Sequence, residues 1–153
     1  MAFKEALRKF PPAGILQRVC VKQYSIPELG LTLEPGVKII IPVQAIHNDE
    51  KHFENPSQFK PERFANSSNW NKYIFMPFGA GPRSCIGVRL GEMQSLAGLA
   101  AVLQKFSFEP GVSTKRKLEV NPKNNTVQAI KGGLPLKMTL RDKSSISIQV
   151  KER

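Results

Sequence analysis

Between Val88 and Phe106 the apolar residues Leu90, Met93, Ala97, Ala100, Ala101, Val102 and Leu103 recur at close to helical intervals. This spacing predicts a helix of about five turns with an apolar face broad enough to need partners on several sides. Upstream, residues Ala2 to Phe10 predict a shorter helix that Pro11-Pro12 stops, with Glu5 and Arg8 three positions apart and so on one face. The pattern then changes to β-type runs at Val19-Cys20-Val21 and Lys38-Ile39-Ile40-Ile41-Pro42-Val43. They are separated by the turn-rich stretch Ile26 to Gly36, which Glu34-Pro35-Gly36 punctuates, and a small sheet is expected. From His47 to Tyr73 the chain is polar, rich in Asn and Pro and without periodicity, which predicts an ordered meander. Beyond the long helix, β-prone stretches at Thr126 to Ile130, Leu134 to Leu140 and Ile146 to Val150, with a Gly132-Gly133 turn, predict a hairpin and a final edge.

At 153 residues, 41% hydrophobic and 23% charged, the chain has the length and apolar content of one ordinary domain. Twelve prolines and eleven glycines are scattered as turn punctuation and form no low-complexity tract. A net charge of +11 would suit an anionic partner such as nucleic acid, an acidic membrane or an acidic protein surface. Nucleic acid is disfavoured: the cations are dispersed, no aromatics interleave with a basic run, and no zinc-finger or helix-turn-helix spacing occurs. Two cysteines, Cys20 and Cys85, exclude a zinc ribbon, argue against a secreted disulfide scaffold and fit a reduced, cytosol-facing protein. Cys20 reads as packing. The sequence contains no run of about eighteen apolar residues and no signal-peptide core. His47 and His52, five positions apart with no third ligand of matching geometry, are not expected to hold a metal.

The chemistry concentrates in Pro77-Phe78-Gly79-Ala80-Gly81-Pro82-Arg83-Ser84-Cys85-Ile86-Gly87. Three glycines and two prolines in eleven residues deny this stretch ladder bonding and helical continuity. Backbone N–H groups are therefore expected to turn toward the sulfur of Cys85, and Arg83 and the start of the following helix favour negative charge there. Such a cysteine suits metal ligation or nucleophilic attack. The spacing of Phe78, Gly79, Gly81, Arg83, Cys85 and Gly87 resembles the haem-ligand loop of the cytochrome P450 family.

That resemblance implies the rest of the site. Cys85 would be the axial metal ligand of haem b (iron protoporphyrin IX), with Phe78, Gly79 and Gly87 shaping its loop. Arg18 and Arg83 would hold the two haem propionates, a use suited to bidentate guanidinium groups. Glu5-Ala6-Leu7-Arg8 is similar to the family's Glu-x-x-Arg helix and Pro61-Glu62-Arg63-Phe64 to its meander segment, so Glu5, Arg8 and Arg63 would form a structural network. One carboxylate between two guanidinium forks can tie a helix to an irregular loop. Ala13, Gly14, Ile15 and Leu16, with Gly133 and Leu134, would line a substrate pocket, the smallness of Ala13 and Gly14 marking a low wall there. His47-Asn48-Asp49 would fall in a structural turn.

The fold implied is mainly α with small β-sheets, the C-terminal portion of the cytochrome P450 fold: helix, small sheet, meander, Cys-ligand loop, long helix and β-hairpin. Residues 1–153 would be a partial haem domain, a C-terminal fragment without the N-terminal anchor and oxygen-activating helix of complete members. The implied activity is monooxygenation of a small lipophilic substrate, most similar to animal and particularly arthropod microsomal forms. Electrons would come from NADPH through a flavoprotein reductase at the cytosolic face of the endoplasmic reticulum membrane, with Lys72 and Arg89 as candidate docking cations. Two alternatives stay open: a truncated product without turnover that binds haem weakly or not at all, and, more remotely, a basic nucleic-acid-binding module. Because a helix over residues 88–106 would lack packing partners in the isolated chain, poor stability is expected.

Overall fold

The computed structural model describes residues 1–65, 71–115, 117–121 and 127–141. The expected edge at Ile146 to Val150 and Thr126 at the start of another predicted stretch lie outside these. The described residues fall into two compact units. One comprises Met1–Cys85 with Asn121–Ala129, the other Ile86–Val120 with the segment from Ile130 onward.

The first unit opens on helix α1 (Ala2–Lys9), with Glu5 in its first turn and Arg8 and Lys9 in its last, charges that oppose the helix dipole at each end. The helix stops where the Pro11-Pro12 pair removes the next donors. Strand β1 (Leu16–Val19) follows, then β2 (Tyr24–Ile26), β3 (Leu31–Leu33) and β4 (Lys38–Ile41). Strand β1 pairs antiparallel with β4, Leu16 opposite Ile41 and Arg18 opposite Ile39, while β2 and β3 form a separate hairpin with Tyr24 opposite Leu33. Gly30 closes that hairpin's turn at φ 58°, in the left-handed region glycine tolerates.

The β1 strand sits earlier than the hydrophobic run Val19-Cys20-Val21 predicted. Gln17 and Arg18 carry no β signal of their own, and the isoleucine-rich partner β4 recruits them by backbone pairing. Cys20 still exchanges backbone bonds across the gap, its N–H donating to Val37 O at 2.8 Å and its carbonyl accepting from Gly36 N–H at 2.7 Å. It is buried, in keeping with a packing role.

After β4 comes the short helix α2 (Val43–His47), and then a meander of turns ending in a 3-10 turn at Pro61–Phe64. Among the described residues the buried apolar side chains of this unit include Cys20, Val43, Phe53, Phe64 and Met76, with Pro11 also buried. Glu5, Arg8 and His47 are buried among them, so the interior here is built as much from polar groups as from apolar ones.

In the second unit helix α3 (Val88–Lys105) starts just after the cysteine loop and leads directly into β5 (Phe106–Pro110). Strand β5 pairs antiparallel with β6 (Leu136–Leu140), Phe106 opposite Leu140, a partner for the predicted Leu134 to Leu140 strand that sequence pattern did not identify. Val120 and Ile130 form an isolated bridge. No residue of α3 is buried: Leu90, Met93, Leu96 and Leu99 are each about half exposed. No helix among the described residues is long and apolar enough to cross a membrane. Among the described residues three two-stranded sheets and three α-helices make a mixed helix and sheet structure.

Candidate haem-ligand site

The cysteine loop is built by short-range bonds and by glycine. Gly79 N–H donates to Met76 O at 3.0 Å, Ser84 N–H to Gly81 O at 3.0 Å, and Cys85 N–H to Phe78 O at 2.9 Å. Gly79 and Gly81 both lie at φ 76°, and a 3-10 turn spans Gly81–Arg83. These bonds fold the loop back on itself and leave Cys85 exposed as a free thiol. The expected turning of N–H groups onto the sulfur is not what is seen. Among the described residues no N–H donates to Cys85 Sγ, and those of Gly79, Ser84 and Cys85 close the backbone instead. Phe78, whose carbonyl accepts from Cys85 N–H, is half-buried, and Gly87 is the residue preceding the first turn of α3.

Beside this loop the β1–β4 sheet forms a cavity of about 740 Å³, lined by Gln17, Arg18, Val19, Val21, Lys38, Ile39, Ile40 and Arg83. Arg18 and Arg83 thus face one cleft although 65 positions separate them in the sequence. Among the described residues neither has a carboxylate partner, and Arg18 Nη1 donates to the neighbouring Gln17 O at 2.8 Å. Lys38, unremarkable in the sequence, adds a third cation, and Val19, Val21, Ile39 and Ile40 supply an aliphatic wall. An apolar ring carrying carboxylates fits such a lining: carboxylates on guanidinium forks, ring on aliphatic side chains. Cys85 is not among the residues lining this cleft; two positions beyond Arg83, it offers an exposed soft sulfur of the kind iron accepts. Among the described residues no three His, Cys, Asp or Glu side chains gather to hold a bare metal ion.

A buried polar cluster joins α1 to α2 and the meander. Arg8 and Glu5 pair in fork-to-fork geometry, Nε to Oε2 at 2.8 Å and Nη2 to Oε1 at 2.9 Å, both side chains fully buried. Arg63 Nε approaches both Glu5 oxygens at 3.2 Å, and Lys60 N–H donates to Oε1 at 2.9 Å. The remaining Arg8 donors reach His47 O at 2.7 Å, Pro56 O at 2.8 Å and Gln58 O at 3.2 Å, so one guanidinium fastens three points of the meander to α1. Lys9 adds a bond to Ser57 O, and Arg63 Nη1 one to Glu54 O at 3.1 Å. Burial alone would push the Glu5 carboxyl up. Hydrogen bonds from Arg8 and Lys60, with the Arg8 and Arg63 charges, outweigh it and hold the group below the ordinary value.

His47, given no chemistry by its sequence context, sits at the centre. Its Nε2 accepts from Met76 N–H at 3.1 Å, which requires the proton to be on Nδ1, and Nδ1 faces Arg8 O at 3.2 Å. The ring stacks on Phe75 with centroids 5.4 Å apart and meets Phe53 edge-on at 6.1 Å. Burial, together with the Arg8 charge, pushes its pKa down to about 4, so the imidazole is neutral at neutral pH. Only the distant pairing with Met76 reveals the role, and no local sequence signal encodes that.

The expected substrate-lining residues are divided. Ala13, Gly14, Ile15 and Leu16 lie in the first unit and Gly133 and Leu134 in the second. Gly14 is buried, and a Cβ there would fall 1.9 Å from Gln128 Nε2, so the absent side chain makes room for Gln128. Ile15, Gly133 and Leu134 are exposed. Lys72 and Arg89 are exposed as well, with Lys72 Nζ 5.2 Å from the Tyr73 ring centre.

The comparisons with known proteins point one way. The Cytochrome P450 family model matches residues 1–134. Among curated relatives, Cytochrome P450 6j1 of Blattella germanica is 40% identical over 141 residues, covering 91% of this chain and 28% of the relative. Cytochrome P450 3A9 of Rattus norvegicus is 40% identical over 146 residues, 94% of this chain and 28% of the relative. Cytochrome P450 3A28 of Bos taurus is 39% identical over 122 residues, 78% of this chain and 24% of the relative. The chain thus spans about a quarter of the length of these relatives. With a family model covering most of its residues, the chain belongs to the cytochrome P450 family.

Proposed function

We propose that this chain is the haem-ligand-bearing part of a haem-thiolate monooxygenase, in which the sulfur of Cys85 would hold the haem iron. The observation that carries the reading is the pairing of an exposed thiol, on a loop shaped by left-handed Gly79 and Gly81, with a cleft that gathers Arg18 and Arg83 against aliphatic side chains. In this reading Arg18 and Arg83 bind the propionates of haem b and fix its orientation. Phe78, Gly79 and Gly87 set the direction of Cys85, and Phe78 limits water near the sulfur. Glu5, Arg8 and Arg63 hold the meander that backs the site. When bound, the haem supplies dioxygen activation, which an anionic sulfur ligand favours by pushing electron density toward the iron.

Family membership supports the remaining parts. The substrate is small and lipophilic, met by the 13–16 segment and by Gly133 and Leu134, and electrons arrive from NADPH through a flavoprotein reductase. The exposed Lys72 and Arg89 are candidate contacts for an acidic reductase face. The microsomal kind of relative it resembles favours the cytosolic face of the endoplasmic reticulum membrane.

A second reading, haem binding without turnover, is favoured by one observation: no side chain of α3 is buried, so this chain by itself leaves an apolar helix uncovered. Reconstitution with haem followed by dithionite and carbon monoxide tests both. A long-wavelength Soret band that Cys85→Ala abolishes supports thiolate ligation. A nitrogen-type band, or a thiolate band that survives Cys85→Ala, overturns it. Turnover with reductase and a lipophilic probe then separates the two readings.

A further inference from the structure

Two backbone segments far apart in sequence meet at His47. Its Nδ1–H is directed to Arg8 O at the end of α1, and its Nε2 accepts from Met76 N–H, nine residues before Cys85. Met76 O in turn accepts from Gly79 N–H, and Phe78 O from Cys85 N–H. A hydrogen-bonded path therefore runs from the Glu5–Arg8 pair through one imidazole to the root of the cysteine loop, entirely within one compact unit. The ring is also held in plane and position by Phe75 and Phe53, with the Arg8 guanidinium 5.3 Å over the Phe53 ring.

We propose that His47 is a positioning residue that couples the Glu5–Arg8–Arg63 cluster to the cysteine loop by donating to Arg8 O and accepting from Met76 N–H. The inference rests on the haem-ligand reading of Cys85 for its functional consequence, but its geometric content does not. A backbone donor at Met76 can be satisfied only by an acceptor, and an acceptor at Arg8 O only by a donor, so the site demands a side chain offering one of each at opposite ends. Neutral imidazole does this rigidly. The phenyl ring of His47→Phe would fill the space and offer neither. Asn, with its amide nitrogen near the place of Nδ1, retains the Arg8 side of the bridge. Gln, with its amide oxygen near the place of Nε2, retains the Met76 side.

Amide hydrogen exchange on the full apo chain reads the bridge directly. In His47→Phe, exchange at Met76, Gly79 and Cys85 should accelerate about fivefold or more while α1 amides stay protected. His47→Gln should restore protection at Met76 and His47→Asn should not, an asymmetry that general loosening would not produce. Unchanged Met76 exchange in His47→Phe, or equal behaviour of the Gln and Asn variants if the Phe variant fails to fold, would overturn the coupling. On reconstituted chains the fraction of thiolate-type Soret band should follow the same order: unmodified and Gln above Asn and Phe. A chain lacking that band altogether would count against Cys85 as ligand, while the exchange pattern would still decide the role of His47.

Discussion

Arg8 and His47 hold each other twice: the Arg8 guanidinium donates to the His47 carbonyl at 2.7 Å, and the His47 imidazole Nδ1–H faces the Arg8 carbonyl at 3.2 Å. Each residue therefore satisfies the other's backbone oxygen with its own side chain. Because Arg8 also spans Glu5, Pro56 and Gln58, its planar fork is used in nearly all its donor directions. Lysine cannot reproduce that fan. Arg8→Lys keeps a cation beside Glu5 but leaves buried carbonyls unpaired, at about 1 to 3 kcal/mol each, measured as a lower urea midpoint at unchanged slope.

Glu5 has the complementary position. Glu5→Gln leaves Arg8 and Arg63 adjacent with no anion between them, and a loss of similar size, about 3 kcal/mol or more, is expected. Arg63→Lys should cost less, since Arg63 retains slight exposure and reaches Glu5 through a single nitrogen. Equal losses in the two variants by chemical denaturation would contradict this ranking.

Acid should act in two stages. Folded His47 titrates at about 4 against 6.5 unfolded, so between these values the unfolded chain binds the extra proton and stability falls as pH falls. The loss over that window is about 3 kcal/mol. Glu5 adds to it lower down: its folded value is depressed, so the stability it confers is present above 4.5 and drains away as pH drops through the folded value. His47→Phe should flatten the first stage and leave the second, a difference visible in unfolding free energies measured from pH 7 to pH 3.

Gly79 and Gly14 should answer alanine differently. At Gly79 the backbone is left-handed and a Cβ would find ordinary contact distances near 3.8 Å, so Gly79→Ala carries a conformational cost of about 1 to 2 kcal/mol and shifts the loop. At Gly14 the backbone is ordinary and the obstacle is the tip of Gln128, so Gly14→Ala requires that side chain to move. Retention of a thiolate-type spectrum should suffer in Gly79→Ala and survive in Gly14→Ala.

Local signals made α1, α3 and the pairing strand Leu136–Leu140 legible in the sequence, each within a few residues of its observed bounds, because periodicity and proline are local. The Glu5–Arg8 spacing was legible for the same reason. Strand β1 was not, because Gln17 and Arg18 are extended by their isoleucine partners and not by their own preference. The meeting of Arg18 with Arg83 and of His47 with Met76 joins segments 65 and 29 positions apart, where only the folded backbone sets distance. Arg63 entered solely through resemblance to a family motif, since an arginine in a meander has no intrinsic address.

The interior of the first unit, where among the described residues a handful of apolar side chains surround a buried ion cluster, has a calorimetric consequence. Heat capacity on unfolding scales with newly hydrated hydrocarbon, and hydrating polar groups subtracts from it. This chain should therefore melt with an unusually small heat-capacity step and a broad endotherm, its stability curve nearly flat between cold and ambient temperatures.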